Sequence, residues 1–319
     1  MSNKVLGWAL ATAVLLGACG SGAPTAPSAQ TSAPATASSA PATSTAIPST
    51  SSTSTSAQPA AVSKLLVFVV ENHSLDQMSA AMPYTVALGR KFGAATSYRA
   101  VTHPSLPNYL AMTGGSTAGI VDDAPPASHA TDQPSVFGQA LSVGGTAKLY
   151  AEGMPGTCAT ASSGTYAVRH NPWAYHLGER AACKQFDVPL MQLSTDAAGG
   201  QLPNAGMVIP DVCNDAHDCD LATADRWLRT QVEAVMSGPD WRAGRLAIVV
   251  TADEDDRHHG NVVLTTVAHP SLHSVVDTTP LDHYSLARLY SEVLGAPPLG
   301  QAATATSMAS TFNLPLGGG

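Results

Sequence analysis

The chain has 319 residues and a formal net charge of −8, from 23 acidic and 15 basic side chains. All of the acidic residues follow position 63, and no cluster of Lys and Arg resembles a nucleic-acid-binding surface. These properties exclude a nucleic-acid partner and predict an acidic domain of roughly 250 residues, large enough for one sizeable core.

The first 18 residues are typical of a secretory signal peptide, with Lys4 followed by an apolar run over residues 5–16. That run is too short to span a bilayer. It ends in Leu-Gly-Ala before Cys19, which resembles a bacterial lipobox and predicts lipidation of Cys19. The expected location is the outer face of the cell membrane, with release to the medium as an option. An ordinary secretory signal with an incidental cysteine is the alternative.

Residues 19–63 consist almost entirely of Ala, Ser, Thr and Pro after the cysteine. Such a segment cannot bury enough apolar surface to offset the entropy lost on ordering. It is therefore predicted to be a disordered, lipid-anchored linker, and residues 64–316 are predicted to form the folded domain.

Four cysteines remain within the domain, and an even number in an exported chain favours two disulfides. Three pairings can be drawn. Cys158–Cys183 and Cys213–Cys219 are favoured because they close the shorter loops. Zinc ligation is the alternative, although no C-x-x-C spacing supports it.

Apolar, β-branched runs along the domain predict strands, and segments with helical periodicity predict helices. The predicted strands cover residues 64–70, 96–101, 147–150, 206–209, 246–251 and 261–267. The predicted helices cover residues 82–92, 105–112, 135–141, 221–236 and 283–294, and residues 152–173 are interpreted as a loop. Alternating strands and helices indicate an α/β fold with a mostly parallel central sheet flanked by helices.

Ser105 lies at the predicted start of a helix, between Pro104 and Pro107. Backbone N–H groups and the positive end of the helix dipole favour an anion at that position. A hydroxyl placed there can attack phosphorus if a metal ion lowers its pKa. The alternative is that Ser105 serves only as a helix N-cap.

Acidic residues follow two of the apolar strands, with Glu71 and Asn72 after the first and Asp253 and Glu254 after another. A third acidic segment covers residues 211–218. Carboxylate and amide oxygens suit a hard divalent cation such as Ca, Mg or Mn, or iron. Because parallel strands end at one edge of a sheet, Glu71, Asn72 and Asp253 are expected to converge beside Ser105. Asp255 and Asp256, by contrast, are predicted to lie on the surface.

Five segments of the chain are informative in combination and in this order. They are Glu71-Asn72-His73-Ser74, His103-Pro104-Ser105-Leu106-Pro107-Asn108-Tyr109, Asp215-Ala216-His217-Asp218, Asp253-Glu254 and Asp282-His283-Tyr284-Ser285. Together they resemble the phosphoesterase family of bacterial acid phosphatases and phospholipases C, its secreted mycobacterial members in particular. That family belongs to the alkaline-phosphatase superfamily, and the resemblance covers essentially residues 64–316.

The resemblance implies an alkaline-phosphatase-like fold and a set of residue roles. Ser105 would be the nucleophile and a metal ligand, and Asn108 would steady the phosphoryl oxygens. His103 and His217 would contact phosphate or protonate the leaving group, with His170 and His283 as further candidates. The implied metal ligands are Glu71, Asn72, Ser105, Asp253 and Glu254, where Glu254 replaces an Asp that is frequent in relatives. His73, His258 and His259 are assigned surface or structural roles.

The function implied is an exported, metal-dependent acid phosphatase that hydrolyses phosphomonoesters, with phosphoinositides as one option, through a phosphoserine intermediate. A monomer is expected. A phosphodiesterase of the phospholipase C type and a non-catalytic envelope lipoprotein are the alternatives. Arg257-His258-His259 does not form the Arg-His-Gly motif of histidine acid phosphatases, which disfavours that chemistry.

Overall fold

The computed structural model describes residues 60–317, so the predicted signal peptide, Cys19 and the linker up to residue 59 lie outside the described residues. The strands are β1 Lys64–Val70, β2 Gly93–Ala95, β3 Tyr98–Arg99, β4 Ala147–Ala151, β5 Asp187–Pro189, β6 Ala205–Ile209, β7 Leu246–Ala252, β8 Thr265–Ala268, β9 Val275–Asp277 and β10 Leu281–Asp282.

Helices occupy most of the segments between the strands. The α-helices are α1 Leu75–Ala81, α2 Pro83–Lys91, α3 Ser105–Gly114, α4 Pro126–His129, α5 Val136–Ser142, α6 Arg180–Phe186, α7 Gln192–Gly199, α8 Leu221–Met236, α9 Pro239–Arg242, α10 His283–Leu294 and α11 Met308–Thr311. Short 3-10 turns cover Val168–His170, Pro172–Tyr175, Leu177–Glu179 and Gly300–Ala303.

The central sheet has eight strands in the order β5-β4-β6-β1-β7-β8-β2-β9. Neighbouring strands run parallel except where β8 pairs antiparallel with β7 and β2. β1 and β7 form its centre, and their side chains are buried apart from Lys64 at the start of β1. Burial on both faces explains their unbroken apolar sequences. The predicted α/β class with a mostly parallel sheet is confirmed.

Two groups of helices cover the sheet. In α8, Leu221, Leu228, Val232 and Val235 form a buried apolar stripe at helical spacing. That helix packs against α1, α2, α7 and α9. The second group contains α3, α5 and α10, which contact one another, and every residue of α3 is buried. The helix that carries Ser105 is therefore held rigidly within the protein.

Two predicted strands differ in the structure. Residues 96–101 do not form one continuous strand, because the chain leaves the central sheet after β2 and β3 pairs with β10 in a separate two-stranded sheet. The strand predicted over residues 261–267 begins only at Thr265. Asn261 has a positive φ of 61° and donates its side-chain amide to the carbonyl of Thr102, which ties this segment to a loop.

Both favoured disulfides are present, Cys158–Cys183 and Cys213–Cys219. The pairing follows the shorter loops, with sequence separations of 25 and 6. Residues at the two ends of the described chain also meet, because Val62 and Leu316 form a parallel bridge. Among residues 60–317, none of the helices combines the length and apolar character needed to cross a membrane.

Candidate active site

Glu71, Asn72 and Asp253 meet at the carboxyl ends of β1 and β7, as expected from the sequence. β1 and β7 are paired in register, with Val70 opposite Ala252. The backbone N–H of Asn72 donates to Oδ1 of Asp253 at 3.0 Å. Asn72 has a φ of 54°, in the left-handed region that Asn tolerates better than most residues. Sheet register and this turn together bring the three side chains to one point.

Ser105 is the first residue of α3 and lies against this cluster. Its hydroxyl donates to Oε2 of Glu71 at 3.1 Å. Pro104 occupies the N-cap position, and no side chain of that residue caps the helix. The hydroxyl of Ser105 therefore points towards the carboxylates, as a nucleophile or metal ligand would require, instead of folding back to cap the helix.

The clustered carboxylates have perturbed pKa values. Burial, followed by the negative charges of Asp253 and Asp215, raises the pKa of Glu71 well above its usual range. Burial raises the pKa of Asp253 to about 6, although the hydrogen bond from the Asn72 backbone opposes the rise. Bringing such groups together without a cation costs free energy, because each charge loses hydration and repels its neighbours.

Several buried polar atoms of the cluster are free to bind a cation. Within residues 60–317, Oδ1 of Asn72, Oδ2 of Asp253 and Nε2 of His170 have no hydrogen-bond partner. Native proteins rarely leave such atoms unpaired. Carboxylate and amide oxygens with one imidazole nitrogen form a donor set suited to a divalent metal ion. The residues present thus fit the metal that the resemblance implies.

Asp215 and His170 complete the cluster, although the sequence analysis gave Asp215 no role and His170 only a secondary one. Nδ1 of His170 lies 3.1 Å from Oδ2 of Asp215, and its Nε2 lies 3.4 Å from Oε2 of Glu71. Ligand atoms of Glu71, His170 and Asp215 all lie within 4.8 Å of one another. Burial, with the positive charges of Arg169 and His217, lowers the pKa of His170 well below its usual value. A neutral imidazole is the form that binds metals.

Tyr109 is a further residue that sequence reasoning missed. Its hydroxyl donates a short hydrogen bond to Oε1 of Glu71, and its ring stacks on His170 with centroids 5.5 Å apart. Tyr109 belongs to one of the five segments, but nothing in the spacing indicates this contact. Asp215 carried a better signal, since it lies in the acidic segment that follows β6, the strand next to β1.

His217 lies at the mouth of the cluster, on the loop closed by Cys213–Cys219. Nη2 of Arg169 donates to its Nε2 at 3.1 Å, and its Nδ1 lies 2.7 Å from Asp218. Its ring centroid is 5.8 Å from that of His170. The structure thus brings His217 beside the predicted site and adds Arg169 as a neighbouring cation.

His103, Asn108 and Glu254 form a second contact group next to Ser105. Nδ1 of His103 lies 3.0 Å from Oε2 of Glu254, and Nδ2 of Asn108 donates to the same oxygen at 3.1 Å. Oδ1 of Asn108 also accepts the backbone N–H groups of Val101 and Thr102. These contacts give Asn108 a role in holding the loop before Ser105, while its contact with a phosphoryl group and metal ligation by Glu254 stay predictions.

His283 was a further candidate for phosphate contact, whereas His73, His258 and His259 were assigned surface or structural roles. His283 is buried, and its Nε2 lies 2.6 Å from the carbonyl of Asp253, so it holds the end of β7. His73 is half-buried, with Nδ1 lying 2.6 Å from the carbonyl of Glu71. His258 and His259 are exposed.

The prediction that Asp255 lies on the surface is wrong. Its side chain is buried and accepts the backbone N–H groups of Arg257, His259 and Asn261. The carboxylate thus organises the loop after β7, a role that local acidity alone could not reveal. Asp256 is half-exposed.

These groups surround an open cavity of about 360 Å³. The cavity is lined by Asn72, Pro104, Ser105, Asp123, His217, Glu254, Asp255, Asp256 and Arg257. It combines a hydroxyl at a helix N-terminus, carboxylate and amide oxygens, a histidine and an arginine. Such a set can bind a phosphoryl group and stabilise charge that develops on its oxygens.

The chain resembles several known proteins. It is 28% identical over 256 residues to phosphatidylinositol-3-phosphatase of Mycobacterium tuberculosis. The aligned region covers 79% of this chain and 83% of that protein. It is 27% identical over 224 residues to an acid phosphatase of Aspergillus fumigatus, covering 65% of this chain and 49% of that protein. The chain therefore spans only about half the length of this fungal relative.

A solved structure shows the same fold. A Vibrio parahaemolyticus protein of the alkaline phosphatase superfamily superposes with a TM-score of 0.54 at 10% identity, covering 75% of this chain and 68% of that one. The model of the Phosphoesterase family matches residues 78–274. The chain therefore belongs to the Phosphoesterase family.

Proposed function

We propose that this protein is an exported, metal-dependent acid phosphatase that hydrolyses phosphomonoesters. The observation that carries the proposal is the hydroxyl of Ser105, at the N-terminus of a buried helix, 3.1 Å from Oε2 of Glu71 and beside free oxygens of Asn72 and Asp253. Relatives named as phosphatases support the reaction class.

Glu71, Asn72 and Asp253, with Ser105, are the residues proposed to hold the cation. When bound, a divalent cation would lower the pKa of the Ser105 hydroxyl and stabilise negative charge on the phosphoryl oxygens. Glu71 already accepts the hydroxyl proton of Ser105 in a hydrogen bond, which orients Oγ towards the cavity.

The proposed reaction has two steps. The hydroxyl proton of Ser105 passes to the Glu71 carboxylate that already accepts it in a hydrogen bond, and Oγ attacks phosphorus, forming an O–P bond while the bond to the leaving oxygen breaks. His217, which lines the cavity, or His103, which contacts the cavity residue Glu254, gives its proton to that leaving oxygen. Water then attacks the phosphoserine, regenerates the hydroxyl and releases phosphate. The backbone N–H of Ser105 at the start of α3 and the guanidinium of Arg257 would stabilise the phosphoryl oxygens.

Turnover of p-nitrophenyl phosphate at acid pH, with and without a chelator, tests this proposal. We expect hydrolysis that the chelator abolishes and that an added divalent cation restores. A non-catalytic envelope lipoprotein would show no turnover under any condition. Activity untouched by prolonged chelation would remove the metal from the mechanism.

A substrate panel resolves the substrate class. Phosphatidylinositol 3-phosphate is included because a relative bears the name phosphatidylinositol-3-phosphatase. A soluble phosphomonoester and phosphatidylcholine complete the panel. Preferential cleavage of phosphatidylcholine would support the phospholipase C type of phosphodiesterase instead.

Membrane anchoring through lipidated Cys19 is a further part of the proposal, supported by the lipobox-like sequence before that residue. Replacing Cys19 with Ser should move the protein from the membrane fraction to the medium without changing activity per molecule, because a single lipidated site would be the anchor. Continued fractionation with membranes would remove the lipoprotein assignment.

A further inference from the structure

Asp123 accepts a hydrogen bond from one of the few backbone N–H groups that could bind an anion beside the proposed nucleophile. Its Oδ1 accepts the backbone N–H of Leu106 at 2.9 Å, directly after Ser105. The first N–H groups of a helix lack partners within the helix and favour anions. In α3, Pro104 and Pro107 have no N–H, so only Ser105 and Leu106 can offer one from this turn. Asp123 thus takes one of the two.

The carboxylate of Asp123 also faces the cavity. Its side chain is 33% exposed and lines the cavity together with Ser105 and His217. An ordinary helix cap at the surface would not place its charge beside a nucleophile. Here the charge lies on the wall that an incoming phosphoryl group must approach.

Nearby cations compensate this charge only in part. Nε of Arg169 lies 4.0 Å from Oδ2 of Asp123, at the limit of an ion pair, while its Nη2 donates to His217. From the loop after β7, Arg257 lines the cavity along with the acidic residues Asp255 and Asp256. The cavity wall outside the metal cluster therefore carries more negative than positive side chains.

We propose that Asp123 is a specificity-determining residue that makes the cavity favour a singly charged phosphoryl group over a doubly charged one. This inference rests on the proposed phosphatase function and extends it. A phosphomonoester carries about one negative charge well below pH 6 and about two well above it. A second negative charge on the phosphoryl oxygens would be repelled by the Asp123 carboxylate. It could not be stabilised by the Leu106 N–H, which already donates to Asp123. Asp123 would thus contribute to an acid optimum through the ionisation of the substrate.

Asp123→Asn tests the inference because Asn keeps the side-chain size and an oxygen acceptor for the Leu106 N–H while removing the charge. The measurement is kcat/KM for glycerol phosphate at about pH 5 and about pH 8, with the divalent cation supplied. We expect the variant to raise kcat/KM about fivefold at the higher pH, mainly through a lower KM, with little change at the lower pH. The expected change in kcat/KM is modest because the Asp123 carboxylate is partly exposed, so that solvent and salt screen its charge.

Asp122→Asn is the matched control. Asp122 precedes Asp123, but its side chain is 59% exposed, pairs with His129 and is not among the residues that line the cavity. Asp122→Asn should leave the ratio of kcat/KM at the higher pH to kcat/KM at the lower pH unchanged. An equal loss at both pH values in Asp123→Asn, or a ratio within twofold of wild type, would show that Asp123 only caps the helix.

Binding of inorganic phosphate, measured by calorimetry at the same two pH values, separates this inference from the proposed function. Phosphate is mostly singly charged at the lower pH and mostly doubly charged at the higher one, and binding needs no turnover. Tighter binding to Asp123→Asn at about pH 8 only would support the inference even if no ester is hydrolysed. Turnover by the wild type with identical phosphate binding in both proteins would overturn it and leave the phosphatase assignment standing. Absence of phosphate binding to either protein would also overturn it.

Discussion

The candidate site has two halves that the protein holds in place by different means. The strand-end half consists of Glu71, Asn72, Asp253 and Ser105, on the ends of β1 and β7 and the start of α3. The loop half consists of Arg169, His170, Asp215 and His217, which lie outside strands and α-helices.

The strand-end half takes its geometry from the core. β1 and β7 pair along their whole length, and every residue of α3 is buried. The loop half is stabilised by covalent closure instead, since Cys213–Cys219 encloses Asp215 and His217 and Cys158–Cys183 encloses Arg169 and His170. A disulfide restricts the chain entropy of the loop that it closes. The sheet thus positions one half of the site, and the cross-links help to position the other.

The largest expected effect is loss of the nucleophile in the strand-end half. Ser105→Ala should reduce kcat by several orders of magnitude, because a covalent nucleophile cannot be replaced by binding alone. Thermal unfolding should change little, since the hydroxyl makes its hydrogen bond to Glu71 and does not cap α3. A variant that keeps more than about a tenth of wild-type kcat would exclude Ser105 as the nucleophile.

A paired substitution compares the two halves directly. Asp253→Asn should reduce both metal affinity and kcat/KM by about 100-fold or more, because Oδ2 of Asp253 is free to bind the cation. Asp215→Asn should reduce metal affinity and kcat/KM by only about 10-fold. The oxygens of Asp215 already contact His170 and the backbone N–H of His217, so Asp215 would act on the metal indirectly. Metal titration by calorimetry and steady-state kinetics measure both.

The reverse order would change the assignment of the site. If Asp215→Asn lost more metal affinity than Asp253→Asn, the cation would belong with Glu71, His170 and Asp215, whose ligand atoms also lie close together. Glu71 belongs to both sets of ligands, so Glu71→Gln should reduce metal affinity in either case. Such a loss would confirm that the cation binds at this cluster.

The smallest expected effect concerns the cross-links. The double variant Cys213→Ser with Cys219→Ser should lower kcat/KM about threefold to 10-fold, because Asp215 and His217 lie within the loop that this short bridge closes. The double variant Cys158→Ser with Cys183→Ser should instead lower the midpoint of thermal unfolding more, because it opens the longer loop. Equal activity in the first variant and wild type would show that packing alone positions the loop half.

Much of the strand-end half could be predicted from local sequence. The apolar runs of β1 and β7 are long and almost free of polar residues, which is typical of central strands in a parallel sheet. The sequence alone therefore predicts that the carboxyl ends of these two strands lie together, with Ser105 beside them. Loop length sufficed in the same way to favour the two disulfides.

The tertiary structure alone decided the contacts of the residues between these elements. Asp255 was predicted to lie on the surface but is buried, and it accepts backbone N–H groups of its own loop. Asp123 reaches Leu106 from the segment that follows α3. Tyr109 contacts Glu71 from a different element. Hydrophobic periodicity reports which face of an element is buried, but not which distant polar groups will meet there. From its local patterns, the sequence determined the α/β architecture, favoured one disulfide pairing and indicated the strand-end residues. The partners of Tyr109, His170, Asp215 and Asp123 depend on long-range packing, and only the folded chain brings them together.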